Sequence, residues 1–154
     1  MKKWKELIGS WYKTSREVQT RLITYKIIHR MYWTRCKMAR LKLCESEMCW
    51  RCERSRGTLL HMYECEMTHN LWEKIILLIN KVLRTDLSQS PALCMLSIIT
   101  EGVELSYQQT QWCRLTLTMY VGCRIVLRHW RSKSIISFNE WMEEMTKTAS
   151  YERR

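Results

Sequence analysis

Residues 49–85 read CWRCERSRGTLLHMYECEMTHNLWEKIILLINKVLRT, and the fold turns on how this stretch changes character part-way along. Its first half sets Cys49, Cys52, His61 and Cys65 among charged residues and Gly57, a composition that marks irregular backbone. Its second half places Leu71, Trp72, Ile75, Leu78, Ile79 and Val82 at intervals that line one side of an α-helix. That pattern ends near residues 84–90, RTDLSQS. A cysteine-histidine loop running straight into an amphipathic helix is therefore expected.

Working outward, the same helical signals recur on both sides. Thr14 to Glu17 reads as a capping box, and Val18, Leu22, Tyr25, Ile28 and Tyr32 follow at helical spacing. A short basic helix or turn covers 37–43, KMARLKL. Downstream, Ser90 before Pro91 has the form of an N-cap with proline in the first turn of a short helix. Ser106 with Gln109 opens a long helix through Trp112, Leu115, Met119, Val126 and Trp130, and Ser137 with Glu140 opens an amphipathic last one. Strand alternation and internal repeats are not visible. Residues 85–90 are the best linker. They divide the chain into a basic segment, 1–84, and a helical segment, 85–154, with one single domain as the alternative.

The bulk properties agree. A chain of 154 residues should bury roughly 70% of its unfolded surface, and one proline with four glycines suits helices. The N-terminal MKKWKELIGSWYK has positive charge but no apolar run behind it, and the run Ile75 to Ile79 is far too short to span a membrane. The expectation is a soluble intracellular protein without a membrane partner, in the nucleus or the cytoplasm. Of eight cysteines, Cys36, Cys94, Cys113 and Cys123 stand singly in apolar or helical contexts, as reduced buried thiols do. Charge is uneven: residues 1–56 hold 15 Lys and Arg against 5 Glu, a net of +10, whereas residues 57–154 are close to neutral. Concentrated positive charge favours a polyanionic partner, because neutralising phosphates releases counterions.

Cys49 and Cys52 form a CxxC turn, whose two thiolates can reach one tetrahedral ion. After eight residues comes His61, four before Cys65; on one helix over 61–69 both would face the same way. The set is Cys3His within zinc-knuckle-like spacing, and soft N and S donors select zinc. Cys44 and His69 are spare candidates. A redox CxxC would be expected after a strand at the start of a helix, and no such unit is present. Four protein ligands leave no open position, so the zinc would be structural. The predicted fold class is thus mainly α, a small helical domain with an inserted zinc-knuckle-like Cys/His loop spanning 44–69. On such a loop Trp50 and Arg51 would be displayed, with Arg54 and Arg56 close behind, as a stacking and phosphate-binding platform; the alternative is that Trp50 packs beneath the turn. Lys26, Arg30 and Arg35 of the preceding helix would add phosphate contacts.

The run CWRCERSRGTLLHMYEC with NLWEKI, the upstream YKIIHRMYWT, and the downstream QWCRLTLTMYVGCRIVLRHW and ASYER resemble the C-terminal segment of the LINE-type (non-LTR) retrotransposon reverse transcriptase polyprotein. The resemblance implies a largely helical segment beyond the polymerase, with a cysteine-histidine motif and a part in binding the element's RNA. The motif it implies falls on Cys49, Cys52, His61 and Cys65. Relatives usually place one more residue between the histidine and the last cysteine; in a continuous helix the shorter spacing would turn Cys65 by about 100 degrees.

Enzymatic motifs are not found. Asp86 is the only aspartate, and two-metal nucleotidyl transfer needs clustered carboxylates. His29 reads as a solvated or phosphate-facing side chain and His129 as packing or capping. The expected function is a non-catalytic nucleic-acid-binding module favouring RNA or single strands; the alternative is a retrotransposon-derived remnant that meets a protein partner, or nothing specific, through exposed apolar helix faces.

Overall fold

The apolar stripe after the cysteine loop becomes the helical spine of the molecule. The computed structural model describes residues 2–13, 15–16, 18–99, 102–122, 133 and 137–152, and over these the chain is mainly α-helical. The elements are α1 (Lys2–Tyr12), α2 (Val18–Ile28), α3 (Arg35–Arg40), α4 (His61–Glu64), α5 (Glu66–Leu83), α6 (Pro91–Leu96), α7 (Tyr107–Gly122) and α8 (Phe138–Glu152). Among the described residues the extended pairing is a single antiparallel bridge between Met48 and Arg56. The fold is the mainly helical one expected, with a Cys/His loop inserted between α3 and α4.

Leu71, Trp72, Ile75, Ile76 and Ile79 of α5 are buried, Ile75 and Ile79 completely. Around them close Leu93 and Cys94 of α6, Cys113 and Leu117 of α7, Trp141 of α8, Ile27 of α2, and Met62 and Tyr63 of α4. Each aliphatic side chain removed from water here contributes roughly 1.5–3 kcal/mol. The cluster draws on both sides of 85–90. That segment is itself held down: Asn80 accepts from the Leu87 amide at 2.8 Å and donates to the Leu87 carbonyl at 3.0 Å, and Leu87 is buried. Arg84 takes the left-handed conformation that ends α5.

Local signals landed where expected. The Ser90 hydroxyl accepts from the Leu93 amide with Pro91 in the first turn of α6. Ser106 and Gln109 cap each other reciprocally at 3.2 and 2.9 Å, and Ser137 accepts from the Asn139 amide at the start of α8. Cys36, Cys94 and Cys113 are buried free thiols. Thr14 and Glu17 of the first capping box lie outside the described residues, as do Cys123, Val126, His129 and Trp130.

Two features depart from the pattern. Residues 2–12 form a helix that carried no recognised signal, and it packs on α2. Of the stripe that marked α2, Val18, Leu22 and Tyr25 are exposed and Ile28 and Tyr32 half-buried, while Ile27 is buried and Ile23 half-buried. The buried side is chosen by α7, the chief partner of α2, and not by the period alone.

Candidate metal centre

The irregular stretch between α3 and α4 folds back on itself as a short hairpin. Its arms are joined by the Gly57 amide donating to the Glu47 carbonyl at 2.8 Å and the Cys49 amide donating to the Ser55 carbonyl at 2.7 Å. At its tip the Glu53 amide returns to the Cys49 carbonyl, and Glu53 sits in the left-handed region with φ of 54°. The turn aims its amides inward, so that the Arg51 N–H donates to Cys49 Sγ at 3.4 Å. Such N–H to sulfur bonds favour a thiolate.

Helix α3 braces this hairpin from behind. Arg35 Nε donates to the Ser46 carbonyl at 2.7 Å, and its guanidinium lies 5.0 Å from the centre of the Trp50 ring. The Cys36 amide donates to the Gly57 carbonyl. Gly57 permits the approach: a Cβ there would stand 2.7 Å from Arg35 Cβ and 3.3 Å from Cys49 Cα.

The second pair of donors comes from the other side. The Thr58 hydroxyl accepts from the His61 amide and starts α4. A continuous helix over 61–69 was expected; instead α4 is one turn, and Cys65 leaves the helical region with ψ of 127° before α5 begins at Glu66. The fully buried Thr68 hydroxyl lies 3.0 Å from the Met62 carbonyl and 2.9 Å from that of Cys65, which also accepts from the Thr68 and His69 amides, so this side chain bridges the break. His61 and Cys65 stand at the two ends of the single turn α4, and their donor atoms meet with the helix broken between α4 and α5.

The four donors converge. Cys49 Sγ, Cys52 Sγ, Cys65 Sγ and a ring nitrogen of His61 all lie within 4.8 Å of one another, and Cys52 Sγ is 3.2 Å from His61 Nε2. Zinc with Zn–S near 2.3 Å and Zn–N near 2.0 Å calls for donor separations of about 3.5–3.8 Å, so the set fits with little adjustment. Cys49, His61 and Cys65 are buried and Cys52 is half-buried. The Cys65 thiol hydrogen-bonded to Cys49, helped by the Cys52 and Arg51 amides and by His61, lowers Cys49 to about 4. The same pairing, with burial, pushes Cys65 far up. The pairing thus favours the thiolate at Cys49 and the thiol at Cys65. The cluster is compatible with a zinc site. Cys44, offered as a spare, points its thiol to the Ser46 carbonyl at 3.3 Å, and His69 is exposed on α5; neither joins it.

The basic residues are distributed differently from the expectation. Arg51 is buried at 8% exposure, so it is not displayed on the turn; the inward course of the CxxC backbone carries it under. Trp50 is half-buried beneath Arg35. Arg54 pairs with Glu66 and Arg56 with Glu47, each at 2.9 Å and on the surface. Lys26 is half-buried on α2, and Arg30 is exposed just beyond it. Not singled out from sequence was Trp33, over half exposed, with Lys37 Nζ 5.1 Å from its ring centre. Its signal was local: it stands directly before Thr34, whose hydroxyl caps α3 by accepting from the Lys37 amide. No protein-family model matches the chain.

Proposed function

We propose that the protein is a non-catalytic nucleic-acid-binding module, favouring RNA or single strands, stabilised by a structural zinc ion at Cys49, Cys52, His61 and Cys65. The single observation that carries the reading is the convergence of these four donors within 4.8 Å of one another, two from the CxxC turn and two from His61 and Cys65 at either end of the single turn α4. The charge of residues 1–56, +10 against a nearly neutral remainder, supplies the attraction for phosphates. Descent from the C-terminal segment of a LINE-type reverse transcriptase is part of the same reading, supported by the resemblance of sequence blocks and by the four motif residues gathering at one point.

Two measurements on the purified protein test it. Elemental analysis should find one zinc per chain. Fluorescence anisotropy with a labelled mixed-sequence RNA should show binding at low salt that weakens as salt is added. No detectable affinity at low salt, or affinity indifferent to salt, overturns nucleic-acid binding. The exposed apolar stripe Val18, Leu22 and Tyr25 on α2 favours a second reading, in which the module docks on a protein. Concentration-dependent self-association without RNA affinity would put that reading ahead.

A further inference from the structure

Away from the cysteine-histidine cluster, exposed cationic and apolar groups gather on residues 30–43, the turn after α2 with α3 and its exit. This stretch holds Arg30, Arg35, Lys37, Arg40 and Lys42 and no carboxylate. Arg35 is spent on the hairpin, but the others are not held by any acid within the stretch. The knuckle offers a contrast, since Arg54 and Arg56 each face a glutamate at 2.9 Å and lose part of their pull on phosphate. Among the described residues, the positive charge not paired with a carboxylate thus lies on residues 30–43 more than at the CxxC turn.

Trp33 sits in the middle of that charge with 53% of its surface in water. An indole so exposed forfeits burial that the core would have given it. Lys37 lies over its ring, and Lys37 and Arg40, three residues apart on α3, share one side of the helix. We propose that Trp33, Lys37 and Arg40 form a stacking platform for an unpaired base and its flanking phosphates, a site separate from the metal cluster. The assignment rests on the nucleic-acid reading and names the surface that would perform it. An aromatic face next to ammonium and guanidinium groups suits a single strand: every free base has a π-face to stack, whereas the bases of a duplex are already stacked on each other.

The test is anisotropy of a short labelled oligouridine against the zinc-loaded full chain and four variants, each checked for zinc content and helical circular dichroism. Trp33→Ala should weaken binding about tenfold, and Trp33→Phe should restore most of it. Lys37→Ala should lower the slope of log affinity against log salt by about one. Trp4→Ala, which removes a comparably exposed indole on α1, should change nothing. If the parent binds and Trp33→Ala binds equally well, the platform is wrong while the general reading stands. A parent with no affinity at low salt removes both. If Trp33→Ala leaves RNA affinity intact but abolishes self-association in sedimentation, the patch is a protein contact and the proposal is overturned.

Discussion

Gly57 is the residue on which the cysteine-histidine cluster leans without contributing a donor. It is required by space, because a Cβ would meet Arg35 at 2.7 Å, where real side-chain carbons do not approach, and backbone at 3.3 Å on the other side. Gly57→Ala should cost roughly 1–3 kcal/mol through overpacking, read as a lowered urea midpoint with the slope unchanged. The ligands themselves divide cleanly. Cys65→Ser should lose the zinc, and Cys44→Ser should keep it, because Cys44 bonds a backbone carbonyl and lies apart from the four donors; elemental analysis of both variants decides. That these four donors meet was legible in the spacing, since CxxC and HxxxC restrict which atoms can meet. The break at Cys65 was not, because no glycine or proline marks it. It is held by Thr68 three residues further on, a threonine that in sequence looks like any other helix residue.

At the scale of elements, what could be read ahead was whatever is decided locally. The caps at Ser90 and Ser106 depend on a side chain and an amide three residues apart, so the sequence alone contains the interaction. Ser106 is exposed. Ser106→Ala should therefore cost about 1 kcal/mol, the ordinary worth of an N-cap, and the loss should appear in thermal unfolding without change in zinc content. The buried face of α2 is the opposite case. Its periodicity is clear, yet Val18, Leu22 and Tyr25 lie outward because the helix rolls Ile27 toward α7, a partner some ninety residues away that no local pattern names. Helix α1 was missed for a related reason: with lysines at 2, 3 and 5 and no recognised cap, only its packing on α2 distinguishes it from a charged tail.

For the whole molecule, a bound zinc would couple stability to pH, and the sign follows from counting protons. In an unfolded chain a cysteine thiol keeps its proton below about pH 8.5. With zinc bound all three sulfurs are thiolates and the imidazole nitrogen is bare, so the unfolded state holds more protons and stability rises with pH between about 5 and 8. Without metal the folded cluster still departs from the unfolded one, but by less. Cys49, lowered to about 4, contributes stability that is present above its ordinary thiol value and is lost as pH falls toward 4, while Cys65 keeps its proton. The metal-free chain thus differs from the unfolded one by about one proton near neutrality, and the zinc form by about three. Each proton is worth about 1.4 kcal/mol per pH unit. Urea unfolding at several pH values around neutrality, with zinc in excess and again with a chelator, should give slopes of stability against pH in a ratio near three, with the chelated protein the less stable at every pH. Equal slopes would mean that the four donors meet without holding a metal.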